Sequence, residues 1–328
     1  MRRNIIRIVV IAALVALIPT IAITWGNEGH MAINRAAAQK VPADMPQFLK
    51  NASDHIAYLG PEPDRWREKS EATLKYAQEP EHFMDMEMVD WLKPLPNDRF
   101  LFIKAVYEHR AQMKPGDKDY EMMTPEKIGL QPYAAIETYD KLKVAFREYR
   151  KALKENRSTA DAEANVLQYA GVLGHYVGDG SNPLHTTVQY NGWTGPNPNG
   201  YTTEHDIHWK MEGLFISQNI NQLPFADLVT APKRLENPMQ DYLAYMRESQ
   251  SHVEEVYKLE KACGFEGAGT AESREFLRKR LAAGSQMLLN MWYTAWMESG
   301  KEPAPYNPGT PRKKAEKICP TPAAIPAK

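Results

Sequence analysis

Apolar positions along this chain recur at the spacing of one helix face in segment after segment. In "GHMAINRAAAQKV", Ile33, Ala37 and Val41 fall four apart, and "MPQFLKNA" follows after Pro42. "LQPYAAIETYDKLKVAFREYRKALKEN" carries Ile136, Tyr139, Leu142, Ala145 and Phe146 on one stripe, with charges elsewhere. That is the pattern of an amphipathic helix lying on a core. "ADAEANVLQYAGVLGHYVGDG" is apolar nearly all round in its second half, which predicts a buried central helix ending at Gly180 ahead of Pro183. "SREFLRKRLAAGSQMLLNMWYTAWMES" predicts a long closing helix. Alternating strand patterns are scarce, and no repeat or Gly/Ser linker divides residues 25–300. The expected fold is all-α, in a single multi-helix domain.

Three stretches break the pattern. "TTVQYNGWTGPNPNGYTT" (Thr186–Thr203) is rich in Gly, Asn and Pro and reads as a long loop, a common carrier of function. From Gly300 onward seven prolines forbid a continuing helix, so residues 301–328 form a Pro-rich tail. At the start, Arg2, Arg3 and Arg7 precede an apolar run from Ile8 to Leu17 with no acid. This is the pattern of a secretory signal peptide over residues 1–24. The run is short for a span of about 20 apolar residues, and Pro19 interrupts it, so an uncleaved anchor is the lesser reading. Cleavage before Trp25 makes the protein exported, either periplasmic or secreted, with no transmembrane span in the mature chain.

Charge and composition narrow the picture. Removing residues 1–24 leaves 37 basic and 41 acidic side chains, a net charge of −4. No general nucleic-acid-coating surface follows from that balance, although bound cations can meet an anionic substrate without one. Hydrophobic content of 43% suffices for a sizeable core. Cys263 and Cys319 can pair in an oxidising compartment, but two cysteines are no disulfide framework. No stable protein partner is implied.

The chemistry-bearing residues cluster. In "GHYVGDGSNPLH", His175 and Asp179 share a helix face four residues apart, and His185 follows just beyond the helix end. Buried on the most apolar helix without partners, such groups would cost several kcal/mol. A metal removes that cost, and imidazole with carboxylate is what zinc takes where thiolates are absent. "EHDIHWKMEG" repeats the spacing with His208 and Glu212, with His205 as a spare. Upstream, Asp64 in "GPEPDRWRE" and His82 in "EPEHFMDME" are further candidate ligands, with Asp85 a carboxylate for substrate or second-layer contacts.

Together these motifs resemble one family. Trp25-Gly-x-x-Gly-His30, His82-Phe-x-Asp85, His175-x-x-x-Asp179 with Pro183-Leu-His185, and His208-x-x-x-Glu212 look like the trinuclear-zinc phosphoesterases. That superfamily holds the bacterial zinc-dependent phospholipases C and the single-strand-specific nucleases. The resemblance spans Trp25 to about Glu212 and implies an all-α fold with three zinc ions. One ion would take Asp64, His82, His175 and Asp179. A second would share Asp179 and take His30 with the amino nitrogen and carbonyl oxygen of Trp25. The third would take His185, His208 and Glu212. Asp179, as the bridge, and Asp85 would be catalytic; Phe83 and Asp85 would contact substrate.

The resemblance implies a phosphodiester hydrolase and leaves its substrate open. The short gap from Trp25 to His30 and the long loop from His185 to His208 look like the nucleases. Glu212 and "HWKME" look like the phospholipases, and the Gly-Gly-Asn signature of the nuclease loop is missing. The expected activity is a single-strand-type nuclease acting on nucleic acid or nucleotide esters. The alternative is a phospholipase C acting on phospholipid head groups, and a third is a non-catalytic helical protein stabilised by zinc.

Overall fold

Gly174 sits so close to Asn34 that a Cβ built on it would stand 1.7 Å from Asn34 Oδ1. This contact sets the centre of the molecule. In the computed structural model, which describes residues 25–302, the expected signal peptide, most of the expected tail and Cys319 lie outside the described residues. The longer helices are α1 (Gly26–Gln39), α2 (Ser53–Leu59), α3 (Ala72–Gln78), α4 (Arg99–Arg110), α5 (Gln131–Lys154), α6 (Ala160–Ser181), α7 (Pro238–Gln250), α8 (Val253–Lys261) and α9 (Ala271–Ser299). There is no β-strand among the described residues, only one isolated bridge between Tyr190 and Gly192. The all-α expectation holds.

Helix α6 is the hub. It packs against α1, α2, α5, α7 and α9, which explains why its second half is apolar on every side. From Ala170 to Ser181 every residue is buried. Asn34 ties the layers by donating Nδ2 to the Ile56 carbonyl at 2.8 Å and the Gly171 carbonyl at 2.9 Å. Trp25, fully buried, donates Nε1 to the Gly178 carbonyl at 2.7 Å. Helices α5, α6 and α9 run close to where the sequence places them. α9 starts at a capping box made by Thr270 and Ser273.

Two features differ from the sequence pattern. "MPQFLKNA" yields only a single turn, Phe48–Asn51. The segment after His208 is a π-helix, Trp209–Phe215, rather than an ordinary helix start. π-helical turns are rare and gather at functional sites. No helix of the described residues is long and apolar enough to cross a membrane.

Candidate metal centre

Five histidines and three carboxylates from distant parts of the chain converge beside α6. His175 and Asp179 lie one turn apart on α6, with His175 Nε2 at 3.2 Å from Asp179 Oδ2. His82 closes the group with Nδ1 at 3.3 Å from Asp179 Oδ2 and 2.8 Å from His175 Nε2. Asp64 stands at its edge, with Oδ1 3.6 Å from His82 Nδ1 and 3.9 Å from His175 Nε2. His30 on α1 reaches the other oxygen, Nε2 to Asp179 Oδ1 at 3.3 Å, and stacks on the His175 ring at 4.1 Å. Gly178 makes room for it, since a Cβ there would meet His30 Nδ1 at 2.9 Å.

A second group lies beyond the end of α6. Glu212 Oε1 is 2.6 Å from His208 Nε2, and its Oε2 is 3.2 Å from His185 Nε2. The two imidazole nitrogens are 3.1 Å apart. Backbone pairing joins the two groups: Met84 N–H donates to the His185 carbonyl and Met86 N–H to the Thr186 carbonyl, both at 3.0 Å. Gly129, at φ 97°, lies against this segment so tightly that a Cβ would stand 2.0 Å from the Phe83 carbonyl oxygen.

These donor atoms fit metal ions. Three sets could each share one: His30, Asp64 and His175; His82, His175 and Asp179; and His185, His208 and Glu212. Ligands at about 2.1 Å in a tetrahedron lie ~3.4 Å from one another, and the spacings above bracket that value. Tautomers are fixed from behind. Nδ1 of His175 meets the Gly60 carbonyl at 3.0 Å, that of His185 the His82 carbonyl at 2.7 Å, and that of His208 the Tyr190 carbonyl at 3.1 Å. With the proton on Nδ1, each Nε2 turns a lone pair into the site, the arrangement metal-ligating histidines use. Both Asp179 oxygens and Oε1 of Glu212 are buried and accept no well-directed hydrogen bond. A cation answers that need.

Without a cation the group divides its protons unevenly. Burial opposes the charge of Asp179, but His175 and His185 hold its carboxyl well below the usual carboxylate range. Burial likewise opposes the charge of His185, yet Asp179 and Glu212 outweigh it and raise the imidazole to about 9. His82 is pushed down to about 4 by burial, with Asp179 only partly compensating. Burial, then His175, also lowers His30.

The backbone nitrogen of Trp25 donates to Glu212 Oε2 at 3.0 Å, and its carbonyl accepts Gly29 N–H. With residue 24 attached, this nitrogen is a peptide N–H, a donor with no lone pair to offer. Asp85 is buried, yet its carboxylate makes no hydrogen bond or ion pair among the described residues, and it belongs to none of the three sets. Burial, then the Glu87 carboxylate, raises it to about 8. Phe83 is half-buried beside it, and His205 is exposed and outside the site.

Sequence patterns missed the supporting residues. Asn182 donates Nδ2 to Glu212 Oε2 at 2.5 Å, and Arg67 meets Asp64 Oδ1 at 3.2 Å. Glu87 accepts from Thr187 Oγ1 and Val188 N–H, holding the loop that follows His185. A cleft of about 650 Å³ opens at Asp64 and runs between Arg67, Lys69 and Lys75 on one part of its wall and Trp209 and Leu214 on another.

No family model and no curated protein matches the chain. Among solved structures, the alpha-toxin of Clostridium perfringens, isolated from avian strain SWCP, aligns over 85% of this chain and 66% of that one. The identity is 12% and the TM-score 0.37. The chain thus covers slightly less than two thirds of that protein's length.

Proposed function

We propose that the chain is an exported zinc-dependent phosphodiester hydrolase that cuts single-stranded nucleic acid. The observation that carries this reading is the set of three histidines locked by backbone carbonyls with Nε2 aimed at the carboxylates of Asp179 and Glu212. Surface ion pairs do not need such orientation; a catalytic metal centre does.

In this reading Asp64, His82, His175 and Asp179 would hold one zinc, and His30 and Trp25, with Asp179, would hold a second. His185, His208 and Glu212 would hold the third. Bound zinc supplies a water acidic enough to ionise near pH 7 and positive charge for a phosphoryl oxygen. The chain's own residues do the rest. Asp179 carries two oxygens on opposite sides, toward His30 and toward His82 with His175. Burial of these groups excludes bulk water. Asp85, three residues beyond His82, orients substrate or water, and Phe83 offers a ring face.

Nucleic acid is preferred because the cleft wall bears Arg65, Arg67, Lys69 and Lys75 against Glu28, Asp64 and Glu79. Flanking cations help a polyanion and give little to a head group that carries its own positive charge. Phospholipase C activity is the second reading, favoured by glutamate at position 212. Zinc-loaded, processed protein given single-stranded DNA and phosphatidylcholine vesicles in parallel separates the two. Chelator-sensitive nucleotide release is expected; hydrolysis of the lipid alone would reverse the assignment.

A further inference from the structure

Trp209 stands out among the tryptophans. Trp25, Trp91, Trp193, Trp292 and Trp296 each donate Nε1 to a partner. Neither Trp66 nor Trp209 donates Nε1 among the described residues, but Trp66 is half-buried against the core, whereas Trp209 stacks on no other ring there and is 48% exposed. It is also held in place. A Cβ on Gly213 would stand 3.0 Å from Trp209 Cδ1 and 3.3 Å from its Nε1, so the indole rests against a bare Cα one π-helical turn away. The segment that seats it also carries Glu212. The ring therefore lines the cleft that opens at Asp64, while its neighbour His208 faces the carboxylate of Glu212.

The cations of the same cleft are not equivalent. Arg65 is engaged by Glu62 and Tyr58, Arg67 by Asp64 and Glu79, and Lys75 by Glu79. Lys69 is exposed and has no ion pair among the described residues. One seated aromatic face and one uncommitted ammonium thus share a cleft that leads to the candidate metal centre.

We propose that this cleft is a subsite for the nucleotide next to the scissile phosphodiester, with its base stacked on Trp209 and its phosphate beside Lys69. The inference rests on the nucleic-acid reading above. Base stacking on an aromatic ring tolerates any base, because every base has a π-face. A ring already seated on Gly213 loses little rotamer freedom when a base covers it. The subsite therefore favours oligonucleotides over isolated phosphodiesters without imposing a sequence.

The test uses the zinc-loaded, processed protein and a fluorescein-labelled phosphorothioate hexathymidylate, read by anisotropy, with an abasic hexamer of the same backbone as comparator. The unmutated protein binds the thymidylate at least about fivefold tighter than the abasic chain. Trp209→Ala, with zinc content measured, weakens thymidylate binding by about five- to a hundredfold and leaves the abasic chain within about twofold. Trp209→Phe recovers most of the loss. Lys69→Ala weakens both ligands and lowers the salt slope by about one. Equal binding of the two hexamers by the unmutated protein overturns the stacking assignment. So does a Trp209→Ala protein of full zinc content that binds both hexamers as before, or loses both alike. An unchanged salt slope in Lys69→Ala overturns the phosphate contact. If the unmutated protein cleaves single-stranded DNA while these signatures are absent, the subsite alone is wrong. If it neither binds nor cleaves nucleic acid, the underlying reading falls with it.

Discussion

The backbone nitrogen of Trp25 lies 3.0 Å from Oε2 of Glu212, a residue 187 positions later. The first residue of the expected mature chain is thereby packed against a carboxylate of the candidate metal centre. Cleavage before Trp25 would replace its peptide N–H by a free amine with a pKa of about 8, and zinc can displace that proton near neutrality. Processed protein carrying one extra residue before Trp25 should therefore hold less zinc and lose most activity, with its helicity intact. Metal analysis and circular dichroism on sequence-verified material check this. Full zinc content in the extended protein would remove Trp25 from the ligand set.

Glycine positions on α6 offer a separate test of packing against function. Gly174→Ala forces a methyl group onto Asn34, whose amide bonds the Ile56 and Gly171 carbonyls. The expected cost is about 3 kcal/mol, read as a lower denaturation midpoint. Gly178→Ala presses instead on His30, so its main effect should be on zinc content, with a smaller loss of stability.

Asp85 gives a pH signature. Burial, then Glu87, raises its carboxyl to about 8, against an ordinary value near 4. The folded state then binds more protons than the unfolded state between those values. The contribution of Asp85 to the stability of the zinc-free protein is full below about pH 4 and is lost as pH rises through about 8. Asp85→Asn should remove this slope, stabilising the zinc-free protein at pH 8 by on the order of 2–4 kcal/mol. Its activity should fall, since the carboxylate is proposed to orient substrate or water. Denaturation series from pH 5 to 8.5 give the first result and hydrolysis assays the second.

Chelation should act through the same histidines. In the zinc-free protein the raised value of His185, about 9, contributes stability below about pH 6.5. That contribution is lost as pH rises through about 9. Zinc competes for this nitrogen, so loading at pH 7 should release protons measurable in weakly buffered solution. Removing zinc should lower the melting temperature by roughly 10 °C or more. Metal uptake without proton release would argue that His185 is not among the ligands.

His205 and His208 separate what sequence spacing can and cannot say. Both lie in "EHDIH"; spacing pairs His208 with Glu212 and leaves His205 a spare, and the fold brings His208 to Glu212 while His205 is exposed. His208→Ala should lose zinc; His205→Ala should not. The long helices α5, α6 and α9 were legible because their apolar stripes are many turns long. The pair His175 and Asp179 was legible because helical spacing alone puts them on one face. The π-helix that carries Glu212 was not, since no local pattern marks the change of period. The Gly60 carbonyl behind His175 and the Asn182 amide on Glu212 were equally hidden, because contacts between distant segments leave no trace in local sequence. Pairing of Cys263, which is exposed, with Cys319 falls outside the described residues.

The most direct test of the central claim is release of nucleotides from single-stranded DNA by correctly processed, zinc-loaded protein, with chelated protein and Asp179→Asn as controls. Hydrolysis that disappears with the chelator, returns with zinc, and is absent from a folded Asp179→Asn protein is the predicted result. A fully metallated protein that leaves every phosphodiester intact would contradict it, and would make the buried histidines and carboxylates a zinc-stabilised scaffold.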